Sequence, residues 1–216
     1  MKKLFIALLS VFVLVGCSAQ KTDAQRFKEE YESLNGKENA SGRDYVNIEI
    51  PADSPMVYAD VDKILEVLKG EGVIYFGFDE CPWCRNALPV LIETAKEKKL
   101  DKIYYYNIKD VRDVLKLEED GTITTVKEKS EDYQKIYDAM KDSLSVYEGL
   151  NDDSIKRLYA PTVVFVKYGK VVSTHVSTVD SQTDPSVPMT DSQKQELKEI
   201  YAKGMDEVQK ICDDKC

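Results

Sequence analysis

A buried-strand pattern that runs directly into two closely spaced cysteines is the feature that most constrains this chain. Residues 73–78 (VIYFGF) are apolar, β-branched and aromatic, which is typical of a buried strand. Cys81 and Cys84 follow, and residues 81–99 continue with a helical pattern that ends in lysines, which suit the negative end of a helix. The cysteine pair is therefore predicted to lie where a strand turns into a helix.

This position has chemical consequences for the two thiols. Cys81 would lie in the positive field of the helix N-terminus, which favours the thiolate and lowers the thiol pKa. Pro82 follows at the first helical position, where a missing N–H costs nothing. Cys84 would lie one turn into the helix, within reach of a disulfide with Cys81. A low-pKa thiol that attacks and a second thiol that resolves are what thiol–disulfide exchange requires.

Two other interpretations of the cysteine pair stay open at this point. Zinc sites also use the C-x-x-C spacing, but they place it on a turn and need two further ligands. A static structural disulfide between Cys81 and Cys84 is the second alternative. The strand-to-helix context favours the redox pair over both.

The surrounding pattern predicts an α/β fold. Strands and helices alternate along the first half of the chain, which indicates a sheet with at least some parallel pairing; the predicted segments are strands at 45–50, 73–78 and 102–108 and helices at 60–69 and 81–99. Residues 161–176 predict an antiparallel hairpin that turns at Tyr168–Gly169. A capping box formed by Thr190 and Gln193 predicts the start of a final helix.

Residues 109–157 interrupt this alternation and are predicted to form a mostly helical insertion. A small hairpin is expected around Asp120–Gly121. Apolar residues at helical spacing between Tyr133 and Tyr147 predict a helix, and a shorter helix is expected near 155–159.

Two stretches of the chain resemble the thioredoxin superfamily, FGFDECPWCRNALPVL and APTVVFVKYGKVV. Pro89 stands five residues after Cys84, where thioredoxins carry the proline that kinks this helix. Pro161, ahead of a β-branched run, matches the cis-proline of the family. The resemblance covers residues 45–108 and 160–212. It implies a thioredoxin fold, a mixed sheet flanked by helices, with 109–157 inserted.

The resemblance also implies an activity, that of a thiol–disulfide oxidoreductase. Cys81 would be the nucleophile and Cys84 the resolving thiol. The backbone at Ala160–Pro161 would pair with the bound substrate, and Trp83, with Pro82 beside it, would help form the apolar patch that meets it. The expected partners are protein or peptide thiols and disulfides, together with a membrane or extracytoplasmic redox partner. No cofactor and no metal is predicted.

One position departs from the family pattern. Thioredoxins proper carry a buried aspartate six residues before the first cysteine, where it helps to move the proton of the resolving thiol. This chain has Tyr75 there. Proton handling is then expected to fall to Asp79, Glu80 or water.

The N-terminus has the pattern of a signal peptide. Residues 1–16 carry two lysines and an apolar run too short for a membrane-spanning helix, and the run ends in Gly16–Cys17. The sequence LVGC resembles the lipobox of bacterial lipoproteins, which implies cleavage before Cys17 and a lipid on Cys17. An uncleaved signal anchor is the alternative. Residues 17–44 are then a lipidated N-terminus and tether, and residues 45–216 form the domain on the extracytoplasmic face of the cell membrane.

The net charge limits the kinds of molecule that the protein is expected to bind, and the two remaining cysteines allow several kinds of site. The formal net charge of −9 argues against binding of nucleic acid. Cys212 and Cys216 would share a helical face, and they suit a local disulfide, a second redox pair, or a four-cysteine zinc site with the first pair. The neighbouring acids Asp213 and Asp214 would raise thiol pKa values and argue against a reactive thiolate there.

The overall layout resembles the accessory thioredoxin-like proteins of bacteriocin export systems, where peptide disulfides are formed or corrected. The rival prediction is a non-catalytic thioredoxin-fold lipoprotein. Such a protein would act as a metal-binding module, or as an adaptor that docks through residues 109–157.

Overall fold

The computed structural model describes residues 20–210. The helices and strands follow one another in this chain order: α1 (Asp23–Glu32), β1 (Met56–Tyr58), α2 (Val61–Lys69), β2 (Gly72–Gly77), α3 (Pro82–Glu97), β3 (Ile103–Asn107), β4 (Val114–Leu117), β5 (Ile123–Lys127), α4 (Glu131–Met140), a 3-10 turn (Lys141–Ser143), β6 (Ser145–Val146), β7 (Lys156–Arg157), β8 (Thr162–Lys167), β9 (Lys170–Val176) and α5 (Asp191–Gln209). Within these described residues, no helix is both long enough and apolar enough to cross a bilayer.

A five-stranded mixed sheet forms the centre of the domain, with the strand order β1-β3-β2-β8-β9. Strands β1 and β2 run parallel to β3, whereas β8 pairs antiparallel with β2 and with β9. Helices α3 and α5 pack together on one face, and α2 and α4 pack together on the other. The predicted α/β class, a mixed sheet flanked by helices, is confirmed.

Burial on both faces explains the uninterrupted apolar run in β2. Val73 and Tyr75 lie in the cluster beneath α3 and α5, whereas Ile74 and Phe76 lie in the cluster beneath α2 and α4. A strand covered on both faces needs apolar side chains at every position rather than at every second one. Strand β2 ends at Gly77, and the chain then enters the loop that carries the cysteines.

Helix α1 belongs to the folded domain, although its residues were predicted to form part of a tether. Phe27 and Tyr31 are fully buried, and the Phe27 ring packs edge-on against that of Tyr105 with centroids 4.8 Å apart. Thr22 caps the helix through a capping box with Gln25. The described domain therefore begins at α1 and not at residue 45.

The strand predicted at residues 45–50 is wrong, because this segment has no regular secondary structure and pairs with no strand of the sheet. Side chains of the N-terminal region replace the missing strand partner. Asn35 bonds both the N–H and the carbonyl of Ile48, at 3.0 and 2.7 Å, and Glu32 accepts the N–H of Ile50 at 2.7 Å. The alternation of apolar and polar residues correctly indicated which positions are buried. The edge strand of the sheet, however, is β1 and not this segment.

The insertion is mixed rather than mostly helical. The hairpin around Asp120–Gly121 is confirmed as β4 and β5. The helix expected between Tyr133 and Tyr147 is present as α4 but ends at Met140, and a 3-10 turn and β6 occupy most of the rest of that segment. The helix predicted near 155–159 is wrong, because β7 pairs there with β6 and the N–H of Tyr147 bonds the Ile155 carbonyl at 2.8 Å. The nearby Pro161 also disfavours a helical conformation just before it.

The C-terminal half follows the sequence pattern closely. The predicted hairpin is confirmed as β8 and β9, with Tyr168–Gly169 at the turn between Lys167 and Lys170. The predicted capping box is present at the start of α5, where Thr190 and Gln193 bond each other's backbone N–H groups. The hairpin completes the sheet, and α5 covers the face on which α3 lies.

Candidate active site

Cys81 caps the N-terminus of α3 with its sulfur. Its Sγ accepts a hydrogen bond from the Cys84 N–H at 3.2 Å, in the place that a serine or aspartate oxygen takes in an ordinary N-cap. Pro82 starts the helix, and Pro89 lies within it. The predicted location of the pair, at the end of a buried strand and the start of a helix, is therefore present in the structure.

The two thiols differ in burial and in acidity. Burial disfavours the thiolate of Cys81, which is 4% exposed, but hydrogen bonds from the thiol and N–H of Cys84 and the positive charge of Arg112 outweigh it. The pKa of Cys81 is therefore lowered. Burial raises the pKa of the fully buried Cys84 well above its usual value, and the neighbouring Cys81 raises it further. The less deeply buried of the two thiols, that of Cys81, is thus the more acidic one.

The segment before β8 lies against Cys81. The Ala160–Pro161 peptide bond is cis, as the resemblance implies, and the Cys81 thiol donates a hydrogen bond to the Ala160 carbonyl at 3.4 Å. Pro82 is exposed and Trp83 is partly buried, and both lie beside Cys81 at the surface. The structure thus brings together the predicted residues Cys81, Pro82, Trp83, Ala160 and Pro161. Cys17, Cys212 and Cys216 lie outside the described residues.

A groove of about 720 Å³ runs past Cys81. One side is formed by the segment Asn39–Tyr45 and the loop that carries Cys81. The other side comes from the insertion and the residues that follow it, through Arg112, Tyr147, Glu148, Arg157 and Tyr159. Sequence reasoning did not place the insertion at the site. The sequence signal that could have indicated this location was the presence of arginines in the insertion, in a chain with more acidic than basic side chains.

Tyr75 lies beneath the cysteines, at the position where the resemblance to thioredoxins would imply an aspartate. It is fully buried, and its hydroxyl lies close enough to the Cys84 thiol to lower the pKa of that thiol. The absence of a side chain at Gly77 leaves room for the Tyr75 ring, since a Cβ atom on residue 77 would lie 2.6 Å from the Tyr75 hydroxyl oxygen. The Tyr75 hydroxyl also lies 3.3 Å from the hydroxyl of Tyr31 on α1.

A row of hydroxyl groups leads away from Cys84 towards the edge of the core. Tyr31 interacts in turn with Tyr105, whose hydroxyl donates to Glu30 Oε1 at 2.7 Å. Burial is the main cause that raises the pKa of Tyr31 and Tyr75 well above the usual value, so both hydroxyls stay protonated and can donate and accept together. The row ends at the carboxylate of the partly buried Glu30.

The two carboxylates expected to handle the proton have different surroundings. Burial raises the pKa of the partly buried Asp79, while Glu80 is exposed and pairs with Lys109 at 2.5 Å. Among residues 20–210, no hydrogen bond joins either carboxylate to Cys84. Among the described residues, Tyr75 is a side chain besides Cys81 whose hydrogen bonding acts on the pKa of this thiol.

Arg85, directly after the second cysteine, holds α3 against the N-terminal region. Its guanidinium is almost fully buried and bonds the carbonyls of Val46 and Tyr31 at 2.7 and 2.8 Å and the Asn35 side chain at 2.6 Å. A third carbonyl, that of Asp79, accepts from it at 3.2 Å. These oxygen partners fix the start of α3, and sequence reasoning did not identify this role.

The described residues hold no cluster of three or more histidine, cysteine or acidic side chains that could bind a metal ion. Within the same residues, Cys81 and Cys84 are both free thiols.

Comparison with known proteins gives similarity in structure alone. No protein-family model and no curated protein matches the chain. Thioredoxin from Aeropyrum pernix is 19% identical over 67% of this chain and 86% of its own, with a TM-score of 0.36. Thioredoxin f2 from Chlamydomonas reinhardtii is 14% identical over 56% of this chain and 83% of its own, with a TM-score of 0.33.

Proposed function

We propose that this protein is an extracytoplasmic, membrane-anchored thiol–disulfide oxidoreductase that acts on protein or peptide disulfides through Cys81 and Cys84. The observation that carries the proposal is the asymmetry of the pair. Cys81 has a lowered pKa and borders a groove, while the thiol behind it is fully buried and has a raised pKa. A static disulfide or a metal site needs no such difference.

In the reducing direction, the Cys81 thiolate attacks one sulfur of a substrate disulfide. The substrate S–S bond breaks, the other substrate sulfur leaves as a thiolate, and a mixed disulfide forms at Cys81. Cys84 then loses its proton and attacks the Cys81 sulfur, which releases the second substrate thiolate and leaves an intramolecular disulfide. The oxidising direction is the reverse. A dithiol or disulfide protein, the redox partner, restores the starting state.

The backbone next to Cys81 suits a bound peptide. The Ala160 carbonyl accepts the thiol hydrogen bond before substrate arrives, and it lines the groove beside Trp83. A substrate chain that lies along this segment would bring its own disulfide to Cys81. Trp83 and Phe78 offer apolar surface beside it.

Deprotonation of Cys84 is the step for which burial is an obstacle. Tyr75 supports this step in the proposal, because its hydroxyl lies at the Cys84 thiol and continues through Tyr31 and Tyr105 towards Glu30. Interaction with the Tyr75 hydroxyl lowers the pKa of Cys84 and so favours the thiolate that attacks Cys81. Tyr75 is a residue that acts on the resolving thiol and does not touch the substrate.

The decisive experiment equilibrates the full chain in thiol buffers and measures the Cys81–Cys84 reduction potential by alkylation. Replacement of Cys17, Cys212 and Cys216 by serine isolates the pair. A value near about −270 mV would indicate a reductant, and one near about −120 mV an oxidant. A Cys84→Ser variant should accumulate the mixed disulfide, and Cys81→Ser should form none. A pair that never exchanges with the buffer would leave the non-catalytic lipoprotein as the better proposal.

The anchor is tested separately. The lipobox resemblance supports a lipid on Cys17, so Cys17→Ser should move the protein from the membrane fraction to the soluble fraction. If the variant stays with the membrane, the uncleaved signal anchor is the better explanation. In the narrower form of the proposal, the substrates are exported peptides that carry disulfides, as in bacteriocin export.

A further inference from the structure

Two arginines of the insertion face the active-site groove without an anionic partner. Arg112 follows β3 and Arg157 lies in β7, and both line the groove that contains Cys81. Their charges are close enough to repel each other, which contributes, after burial, to the lowered pKa of Arg112. Among residues 20–210, neither guanidinium takes part in a salt bridge or a side-chain hydrogen bond.

Arg157 is the more unusual of the two, because it is only 9% exposed. Its guanidinium packs over the Tyr147 ring, 4.1 Å from the ring centroid, and lies 5.9 Å from that of Tyr159. The Nη1 atom is buried, and no group of the described chain bonds it. A buried N–H of a charged group without a partner is costly. The Tyr147 ring packs against the guanidinium, and the guanidinium N–H groups have no hydrogen-bond acceptor among the described residues.

The groove lining includes two carboxylates, those of Glu80 and Glu148, and neither forms an ion pair with Arg112 or Arg157. Glu80 pairs with Lys109, and Glu148 is exposed at the rim. In a chain with a net charge of −9, two unpaired cations beside a nucleophilic sulfur form a site of complementary charge for an anion. A guanidinium edge matches a carboxylate in shape and can bond it through two parallel N–H groups.

We propose that Arg112 and Arg157 bind a carboxylate of the peptide substrate, carried by an aspartate or glutamate next to the cysteine that Cys81 attacks. This inference rests on the proposed exchange activity and gives it a substrate preference. The carboxylate is a natural ligand because peptides carry it on their own side chains. The groove places the arginines and Cys81 along one surface, so a single extended peptide can reach both.

The test uses three fluorogenic peptide disulfides that differ only in the residue before the reactive cysteine: glutamate, glutamine or lysine. The reduced full chain, in detergent and with serine at positions 17, 212 and 216, is mixed with each peptide, and the second-order rate constant is measured. One charge-assisted contact corresponds to about a tenfold advantage for the glutamate peptide over the glutamine peptide. The lysine peptide should be slowest, and salt should reduce the differences.

Variants assign this preference to the arginines. Arg157→Gln should bring the glutamate-to-glutamine ratio close to one, and Arg157→Lys, which keeps the charge but not the fork, should retain an intermediate ratio. Arg112→Gln should also lower the ratio. Arg26→Gln is the matched control. Arg26 lies in α1, 4.4 Å from the centroid of the Tyr58 ring, and it does not line the groove. The glutamate-to-glutamine ratio of this variant should equal that of the parent chain.

The outcomes separate this inference from the proposed function. Exchange with none of the peptides would refute the oxidoreductase itself. Exchange at equal rates with all three peptides would leave the oxidoreductase standing and overturn the carboxylate site. A ratio that survives in both Arg112→Gln and Arg157→Gln would overturn it as well. Equal slowing of all peptides by these variants would show that the arginines act only on the acidity of Cys81.

Discussion

The hydroxyl oxygens of Tyr31 and Tyr75 lie 3.3 Å apart in the core beneath Cys84. The contact joins the first helix of the domain to the central strand, across 44 positions of the sequence. The two hydroxyl groups extend the polar surroundings of the Cys84 thiol into a part of the core that is otherwise apolar. The packing of α1 therefore affects the surroundings of Cys84, because the same helix carries Tyr31 and the buried Phe27.

Tyr75→Phe should slow the resolving step without loss of the first attack. The hydroxyl lowers the pKa of Cys84, so its removal raises that pKa further and leaves less thiolate at a given pH. An aryl disulfide reagent that releases a coloured thiolate at each step separates the two events. We expect the second phase to slow by about tenfold, the kinetic equivalent of one hydrogen bond. Tyr104→Phe, in β3, controls for the loss of a tyrosine hydroxyl, and an unchanged second phase in Tyr75→Phe would refute this role.

Arg112→Gln should shift the reactivity of Cys81 to higher pH. Burial raises the pKa of Cys81, whereas hydrogen bonds from Cys84 and the charge of Arg112 lower it. Without that charge the pKa rises, so the midpoint of a plot of alkylation rate against pH moves up. Arg112→Lys should keep most of the parent midpoint. The control Lys129→Gln removes a cation that already pairs with Asp113 at 3.2 Å; an equal shift in the control would contradict the specific effect of Arg112.

Arg85→Lys should destabilise the domain, although it conserves the charge. A lysine cannot reach the carbonyls of Val46 and Tyr31 and the Asn35 side chain together, which the guanidinium does. The expected loss in the free energy of unfolding is about 2 kcal/mol, measured in urea. Arg43→Lys makes the same change at an exposed position and should stay within about 0.5 kcal/mol of the parent. Equal stability of the two variants would mean that the buried contacts contribute little.

Phe27→Ala tests whether α1 is part of the folding unit. The side chain is fully buried against Tyr31 and Tyr105, so its truncation should lower the free energy of unfolding by about 3–5 kcal/mol. Glu29→Ala, on the exposed side of the same helix, is the control. A loss no larger than that of the control would restore the view of this segment as a tether.

The local chemistry of the site was predictable because it depends on neighbours in sequence. The place of Cys81 at a strand-to-helix junction follows from the apolar run before it and from Pro82 after it, and the structure has Cys81 as the N-cap. The strand at 45–50 was wrong for a related reason. Alternation predicts which residues are buried, and Ile48 and Ile50 are buried, but it does not reveal whether another strand is available to pair with them.

Long-range contacts account for the features that the sequence did not predict. Tyr75 was recognised as a departure from the family pattern, but its contact with Tyr31 depends on where α1 packs. The direction of the Arg157 side chain depends on the pairing of β6 with β7 and on the ring of Tyr147. No local pattern specifies such contacts, because each joins segments that tertiary packing alone brings together.

The groove that borders Cys81 combines distant parts of the chain, since the sulfur belongs to the core while Arg112, Tyr147 and Arg157 belong to the segment between β3 and β8. In the proposed function, most of the peptide-recognition surface is thus encoded apart from the cysteine motif, and Arg112 contributes to both. Substitutions at Tyr147 and Arg157 can therefore change the proposed peptide preference while the cysteine motif stays the same. For protein engineering, residues 109–157 are the natural segment to exchange in order to redirect the proposed activity.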